Sequence, residues 1–228
     1  MNSALILHDK EVGRSSPETQ YDFDEQWYEP VGQAIRNQTG AHVVIPELPH
    51  PTRARFADYA QILDSYDIDE DSAVIGHGFG AGIALRYLSQ RPDIKPNQVA
   101  LVAPRFLRTG EERKFFYDTP DAALSQRIGE VSLLYSEDTS VNGIRSARRI
   151  ERFFSETQVQ RLQGYGKCIV GNSMQSPDFP ELLDAIGVST SETGQVASNV
   201  IPIQRARGRA ENSITASVGR LDRAARLT

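Results

Sequence analysis

The chain has 228 residues, 39% of them hydrophobic and 24% charged, and a formal net charge of −5. Such a chain can bury a sizeable core, and its acidity excludes whole-domain nucleic-acid binding, which needs a basic face. One cysteine, Cys168, excludes an intramolecular disulfide and suits a reducing, cytoplasmic setting; the apolar run Ala4–Leu7 is too short for a secretory leader or a membrane span.

Taken in order, Ala4–Leu7 reads as a first strand ending at His8-Asp9. A polar loop rich in Gly, Ser, Pro and Asp spans Lys10–Glu25. Trp27-Tyr28-Glu29-Pro30-Val31 opens a helix to Thr39, closed by Gly40. His42–Ile45 is a second strand, after which Pro46, Pro49 and Pro51 break the chain. The spacing of Phe56, Tyr59, Ala60 and Leu63 predicts a helix over Phe56–Tyr66.

The organising stretch follows. Ala73–Ile75 is a short apolar strand, and Ile83, Ala84, Tyr87 and Leu88 recur at helical spacing. Between them lies Gly76-His77-Gly78-Phe79-Gly80, the frame of the nucleophile elbow G-x-S-x-G with glycine at the serine position. Glycine tolerates the positive φ of such a turn and supplies no nucleophile.

Val99–Ala103 is a further buried strand, stopped by Pro104. Arg105–Glu130 has no clear period; it carries basic residues with Phe115, Phe116 and Tyr117, and reads as a lid or excursion over the site. Val131–Tyr135 is a strand, Ser136–Val141 its C-terminal loop, and Asn142–Phe154 a helix. Val159–Leu162 and Cys168–Val170, read as strand segments, flank the turn Gly164-Tyr165-Gly166-Lys167, and Phe179–Ile186 is a last helix, ended by Gly187.

Alternating strands and helices predict an α/β fold: three αβα layers around a mainly parallel, doubly wound sheet. Right-handed crossovers bring the C-terminal ends of the strands to one edge, which should gather His8, Asp9, Gly78, Asp138 and Lys167. Residues 1–188 read as a single domain of this kind. Residues 189–228 read as a Ser/Ala/Arg-rich tail, disordered alone, with six arginines against three acids. Its net +3 leaves −8 on the body and makes it a candidate partner-binding segment.

Four stretches together carry a resemblance. Trp27-x-x-Pro30, Ile45-Pro46-x-Leu48-Pro49-x-Pro51, the elbow with Ala84-Leu85-Arg86-Tyr87-Leu88, and Phe179-Pro180-Glu181-Leu182-Leu183 resemble, in order and spacing, the small serine hydrolases of the α/β-hydrolase fold. The group in question is that of retinoblastoma-binding protein nine and its YdeN-like bacterial relatives. The resemblance covers residues 4–187. It implies a serine at the elbow, an acid after the next-to-last strand and a histidine after the last. Here those positions match Gly78, Asp138 and Lys167. The four histidines are His8, His42, His50 and His77, and none follows Asp138. The base position is therefore as empty of its chemistry as the nucleophile position, and removing either costs orders of magnitude in rate.

The expectation is a hydrolase fold that has lost nucleophile and base, a pseudoenzyme acting by binding or scaffolding toward a small molecule or protein. His8, Asp9, His77 and Phe79 are the candidates to line its old pocket and oxyanion loop. Two readings compete. One is a live enzyme of altered chemistry built on His77, Asp138, Lys167 or Cys168. The other is a nucleotide-binding protein, since Gly76, Gly78 and Ala81 also fit G-x-G-x-x-A, although the next strand carries no acid for a ribose. A pairing of Lys167 with Asp138 would hold the emptied site together. His42 and His50 show no ligand spacing, so neither metal nor other cofactor is expected.

Overall fold

The structure is a computed structural model; it describes residues 1–14, 18–106, 115, 120–121, 123–154 and 156–188. The proposed tail, with Phe116 and Tyr117 of the excursion, lies outside the described residues.

The chain order is β1 (Ser3–Leu7), β2 (Val12–Gly13), β3 (Tyr21–Asp22), α1 (Tyr28–Thr39), β4 (His42–Val44), α2 (Phe56–Leu63), β5 (Ser72–His77) and α3 (Phe79–Gln90). Then come β6 (Gln98–Val102), α4 (Leu124–Arg127), β7 (Glu130–Ser136), α5 (Val141–Phe153), β8 (Gln158–Leu162) and α6 (Pro180–Ala185). Six strands form one sheet in the order β4-β1-β5-β6-β7-β8, every pair parallel. This is the predicted α/β architecture, a central parallel sheet between two helical layers.

The two layers follow from the two-residue period of the strands. Leu5 and Leu7 of β1 face one core with Tyr59 and Leu63 of α2, Leu85 and Leu88 of α3, and Ile150 of α5. Ala4 and Ile6 face the other, with Val31 and Ile35 of α1 and Leu182 of α6. The central strands are buried along their length, which is why they read as continuous apolar runs rather than alternating ones.

Several boundaries differ from the sequence expectation. The polar loop after β1 holds β2 and β3, a two-residue parallel pair too short to show a period. α2 ends at Leu63 and continues as a turn in which Asp64 N–H bonds Ala60 O and Tyr66 N–H bonds Leu63 O. Cys168–Val170 is not a strand segment: Cys168 has φ +56 and its N–H bonds Tyr165 O, so the chain turns there. Val170 makes a lone bridge to Met174. A short run of apolar residues does not distinguish a buried turn from a strand.

The order of strands places the site. The chain first builds β1 and adds β4 on one side, then crosses to lay β5 on the other. The C-terminal ends of β1 and β5 therefore border the crevice where connections diverge, the usual ligand position in open α/β sheets. Their register pairs Leu7 with Gly76, which sets Asp9, two residues on, beside Gly78.

Candidate functional site

Gly78 sits between β5 and α3 with φ +53 and ψ −114, a left-handed conformation that strains any residue with a Cβ. The turn is pinned from β6: Gly78 N–H bonds Val102 O, and Arg105 N–H bonds Gly78 O, both at 2.9 Å. The flanking glycines are equally constrained. A Cβ at Gly80 would lie 2.5 Å from Leu7 O, and one at Gly76 2.5 Å from Ala81 Cα. The G-x-G-x-G frame thus packs backbone on backbone.

The space a side chain at position 78 would need is already taken. An ideal Cβ there would overlap Asp9 Oδ2 and stand 2.5 Å from Asp9 Cγ. The Asp9 carboxylate accepts Phe79 N–H at 2.7 Å on Oδ2 and Glu11 N–H at 2.9 Å on Oδ1. Phe79 N–H belongs to the residue after Gly78; in elbows that carry a serine there, the corresponding donor serves an oxyanion. It also opens α3, so the helix N-terminus favours the negative charge.

Asp9 is buried, with a side chain 2% exposed. Burial pushes its carboxyl up, but the Arg105 guanidinium, 3.7 Å away, and the two N–H donors outweigh that, and the group is held below the ordinary carboxylate value. Arg105 also bonds Glu11 at 2.5 Å, and Glu11 bonds Lys167 Nζ at 2.9 and 3.2 Å. Two carboxylates and two cations so form a chain, Asp9–Arg105–Glu11–Lys167, across the mouth of the elbow. Despite its partial burial, Glu11 is likewise held low by Arg105 and Lys167.

The expected pairing of Lys167 with Asp138 does not form, because Glu11 reaches the ammonium first. Asp138 accepts instead from Ser136 Oγ and from Gly166 N–H, which hold its carboxyl low, the hydroxyl contributing most. Asp138 thus clamps the 164–167 turn to the end of β7.

Behind the elbow runs a buried polar line. Asp9 N–H donates to Tyr28 Oη at 3.2 Å, the Tyr28 hydroxyl donates to His77 Nδ1 at 2.7 Å, and His77 Nε2–H donates to Lys167 O at 2.7 Å. The carbonyl can only accept, which assigns the proton to Nε2. Both ring nitrogens are engaged, and burial pushes the imidazole below its ordinary value. His8 is similarly fixed: Nδ1–H donates to Asp9 O at 2.9 Å and Nε2 accepts Leu48 N–H at 2.8 Å. Trp27 Nε1–H bonds Cys168 O at 2.9 Å, tying the α1 entry to the same turn. The Cys168 thiol is wholly buried and pushed up by that burial, away from thiolate chemistry.

Phe79 closes the other side, ring to ring with Phe115 at 5.1 Å and with Tyr59 at 5.7 Å. Phe115 comes from the excursion, as does Arg105. The cavity bordered by His8, Leu48 and Phe79 holds about 30 Å³, room for one water. Among the described residues, no three His, Cys, Asp or Glu side chains group to hold a metal ion.

His8, Asp9, His77, Gly78, Phe79, Asp138 and Lys167 therefore do meet at one sheet edge. Sequence reasoning passed over Tyr28, Glu11 and Arg105. The last two had a legible signal, since Glu11 lies four residues past the end of β1 and Arg105 three past the end of β6, both on that edge.

The parallel six-stranded sheet, flanked by helices on both faces, is shared with solved α/β-hydrolase structures. The chain has the α/β-hydrolase fold. Among solved structures it is similar to the ydeN gene product from B. subtilis, with 15% identity over 82% of this chain and 97% of that one, TM-score 0.67. It is similar also to carboxyl esterase 2 from the fungus Tuber melanosporum (12%, 82% and 77%, TM-score 0.56) and to the NocB thioesterase domain from the nocardicin cluster (15%, 82% and 95%, TM-score 0.52). No protein-family model and no curated protein matches the chain. Gly78 stands between β5 and α3, Asp138 in the loop after β7 and Lys167 in the loop after β8. No helix among the described residues is long and apolar enough to cross a membrane.

Proposed function

We propose that this chain is a pseudoenzyme of the α/β-hydrolase fold, a cytoplasmic protein that binds or scaffolds and performs no triad hydrolysis. The observation that carries the reading is the Asp9 carboxylate, bonded to Phe79 N–H in the space where a nucleophilic side chain and an oxyanion would both have to sit. A substrate carbonyl needs that donor, and a buried, ion-paired carboxylate already holds it.

The alternatives for live chemistry find little support. His77 and His8 have both nitrogens in hydrogen bonds, Cys168 is buried and protonated, and Lys167 is paired with Glu11. The cavity beside His8 and Phe79, about 30 Å³, is far below the several hundred Å³ usual for a ligand pocket.

The test is exposure of the intact protein to a fluorophosphonate probe and to a panel of short-chain p-nitrophenyl esters. The expected result is no covalent adduct by mass spectrometry and hydrolysis at the rate of buffer. Stoichiometric labelling, or turnover that saturates with substrate, would overturn the reading.

A further inference from the structure

Apart from the cavity of about 30 Å³ beside His8 and Phe79, a cavity of about 220 Å³ lies further along α3. Leu85 of α3, Phe106 after β6, and Ile150 and Phe153 of α5 supply its apolar wall. Arg149 and Arg152 of α5 line it too. For scale, a cavity of about 150 Å³ lined by aliphatic and aromatic side chains stays dry and accepts benzene.

The two arginines differ in their commitments. The Arg149 guanidinium lies over the Phe106 ring, 4.9 Å from its centre. Arg152 is exposed and bonds Arg148 O through Nε; among the described residues it has no ion-pair partner. Its cationic end therefore stands where the apolar space meets water. α5 carries Arg145, Arg148, Arg149 and Arg152 against a single acid, Glu151, so this face is basic on a chain whose net charge is −5.

An apolar chamber with an unpaired guanidinium at its rim is complementary to an apolar tail ending in an anion. We propose that this cavity binds a medium-chain fatty carboxylate, its tail against Leu85, Phe106, Ile150 and Phe153 and its carboxylate on Arg152, flanked by Arg149. The site is separate from the elbow and stands whether or not the elbow is catalytic.

The test is calorimetric titration of the full chain with octanoate and, in parallel, with octanol, which has the same tail and no charge. Octanoate should bind about tenfold tighter than octanol or better, the margin of a charge-assisted bond at a partly exposed site. Arg152→Gln should bring octanoate to the level of octanol and leave octanol unchanged. Leu85→Trp, which fills the chamber, should abolish both; if that variant fails to fold, the Arg152→Gln comparison decides. No binding of octanoate at millimolar concentration, equal affinity for acid and alcohol, or an affinity indifferent to Arg152→Gln would each overturn the proposal.

Discussion

The carboxylate of Asp9 occupies the position that a side chain on Gly78 would require, 69 residues away in sequence and two residues past a pair in the β1–β5 register. Neither residue can be changed without regard to the other. That coupling gives the first test.

Gly78→Ser should be severely destabilised and inactive. The added Cβ overlaps Asp9 Oδ2, and the φ of +53 strains any non-glycine residue by about 1–3 kcal/mol. Displacing the buried carboxylate from Arg105 adds about 3 kcal/mol. Combined with Asp9→Gly, the same change should cost less than the two single changes together. A urea-unfolding double-mutant cycle measures that coupling, and additive losses would show that the two residues do not compete for the space.

Arg105→Met should cost about 3 kcal/mol, because it leaves the buried Asp9 charge facing only backbone donors. Lys167→Ala should cost less than about 1 kcal/mol, since that ammonium is a third exposed and Arg105 still serves Glu11. Chemical denaturation of both variants at pH 7 checks the ranking. A Lys167 variant as damaged as the Arg105 variant would contradict it.

Acid should unfold the protein in two stages. Burial holds His8 and His77 below the ordinary 6.5, so below that pH the unfolded chain takes up protons that the folded chain refuses. Stability therefore begins to fall as the pH drops through 6.5. Asp9 and Glu11 are held below their ordinary 3.8 and 4.5. Their contribution is complete above those values and is lost as the pH falls further, through the folded-state values. Unfolding free energies measured from pH 7 to pH 3 should trace both declines, and a flat profile between 7 and 5 would contradict the histidine assignment.

Tyr28→Phe should cost about 1–3 kcal/mol, because it strands both Asp9 N–H and His77 Nδ1 in the interior. In the parent protein, nitrogen NMR should find His77 neutral with its proton on Nε2 at pH 7. A signal for the other tautomer would reverse the direction of the Tyr28 bond.

Cys168 should resist iodoacetamide in the native protein and react fully in urea, since its thiol is buried and held protonated. Labelling under native conditions on the time scale of a free thiol would place it at the surface.

Local chemistry in the chain was enough for the frame of this fold. Apolar runs, glycine stops and helical spacing located the central strands and the long helices, because those signals act within a turn or a strand length. The G-x-G-x-G frame and the absence of any histidine beyond Asp138 were legible in the same way. The partnerships of the site were not. Lys167 with Glu11, Trp27 with Cys168 and Asp9 with Phe79 join residues 156, 141 and 70 positions apart. No periodicity encodes such pairs.

By itself, then, the sequence determined that position 78 carries no side chain. Only the tertiary structure decided what fills the space beside it, because strand register and crossover, both non-local, chose which loop residue would face Gly78. Once β1 lay beside β5, the carboxylate two residues past the strand end had the helix N-terminus and Arg105 to stabilise it, and no Cβ to exclude it.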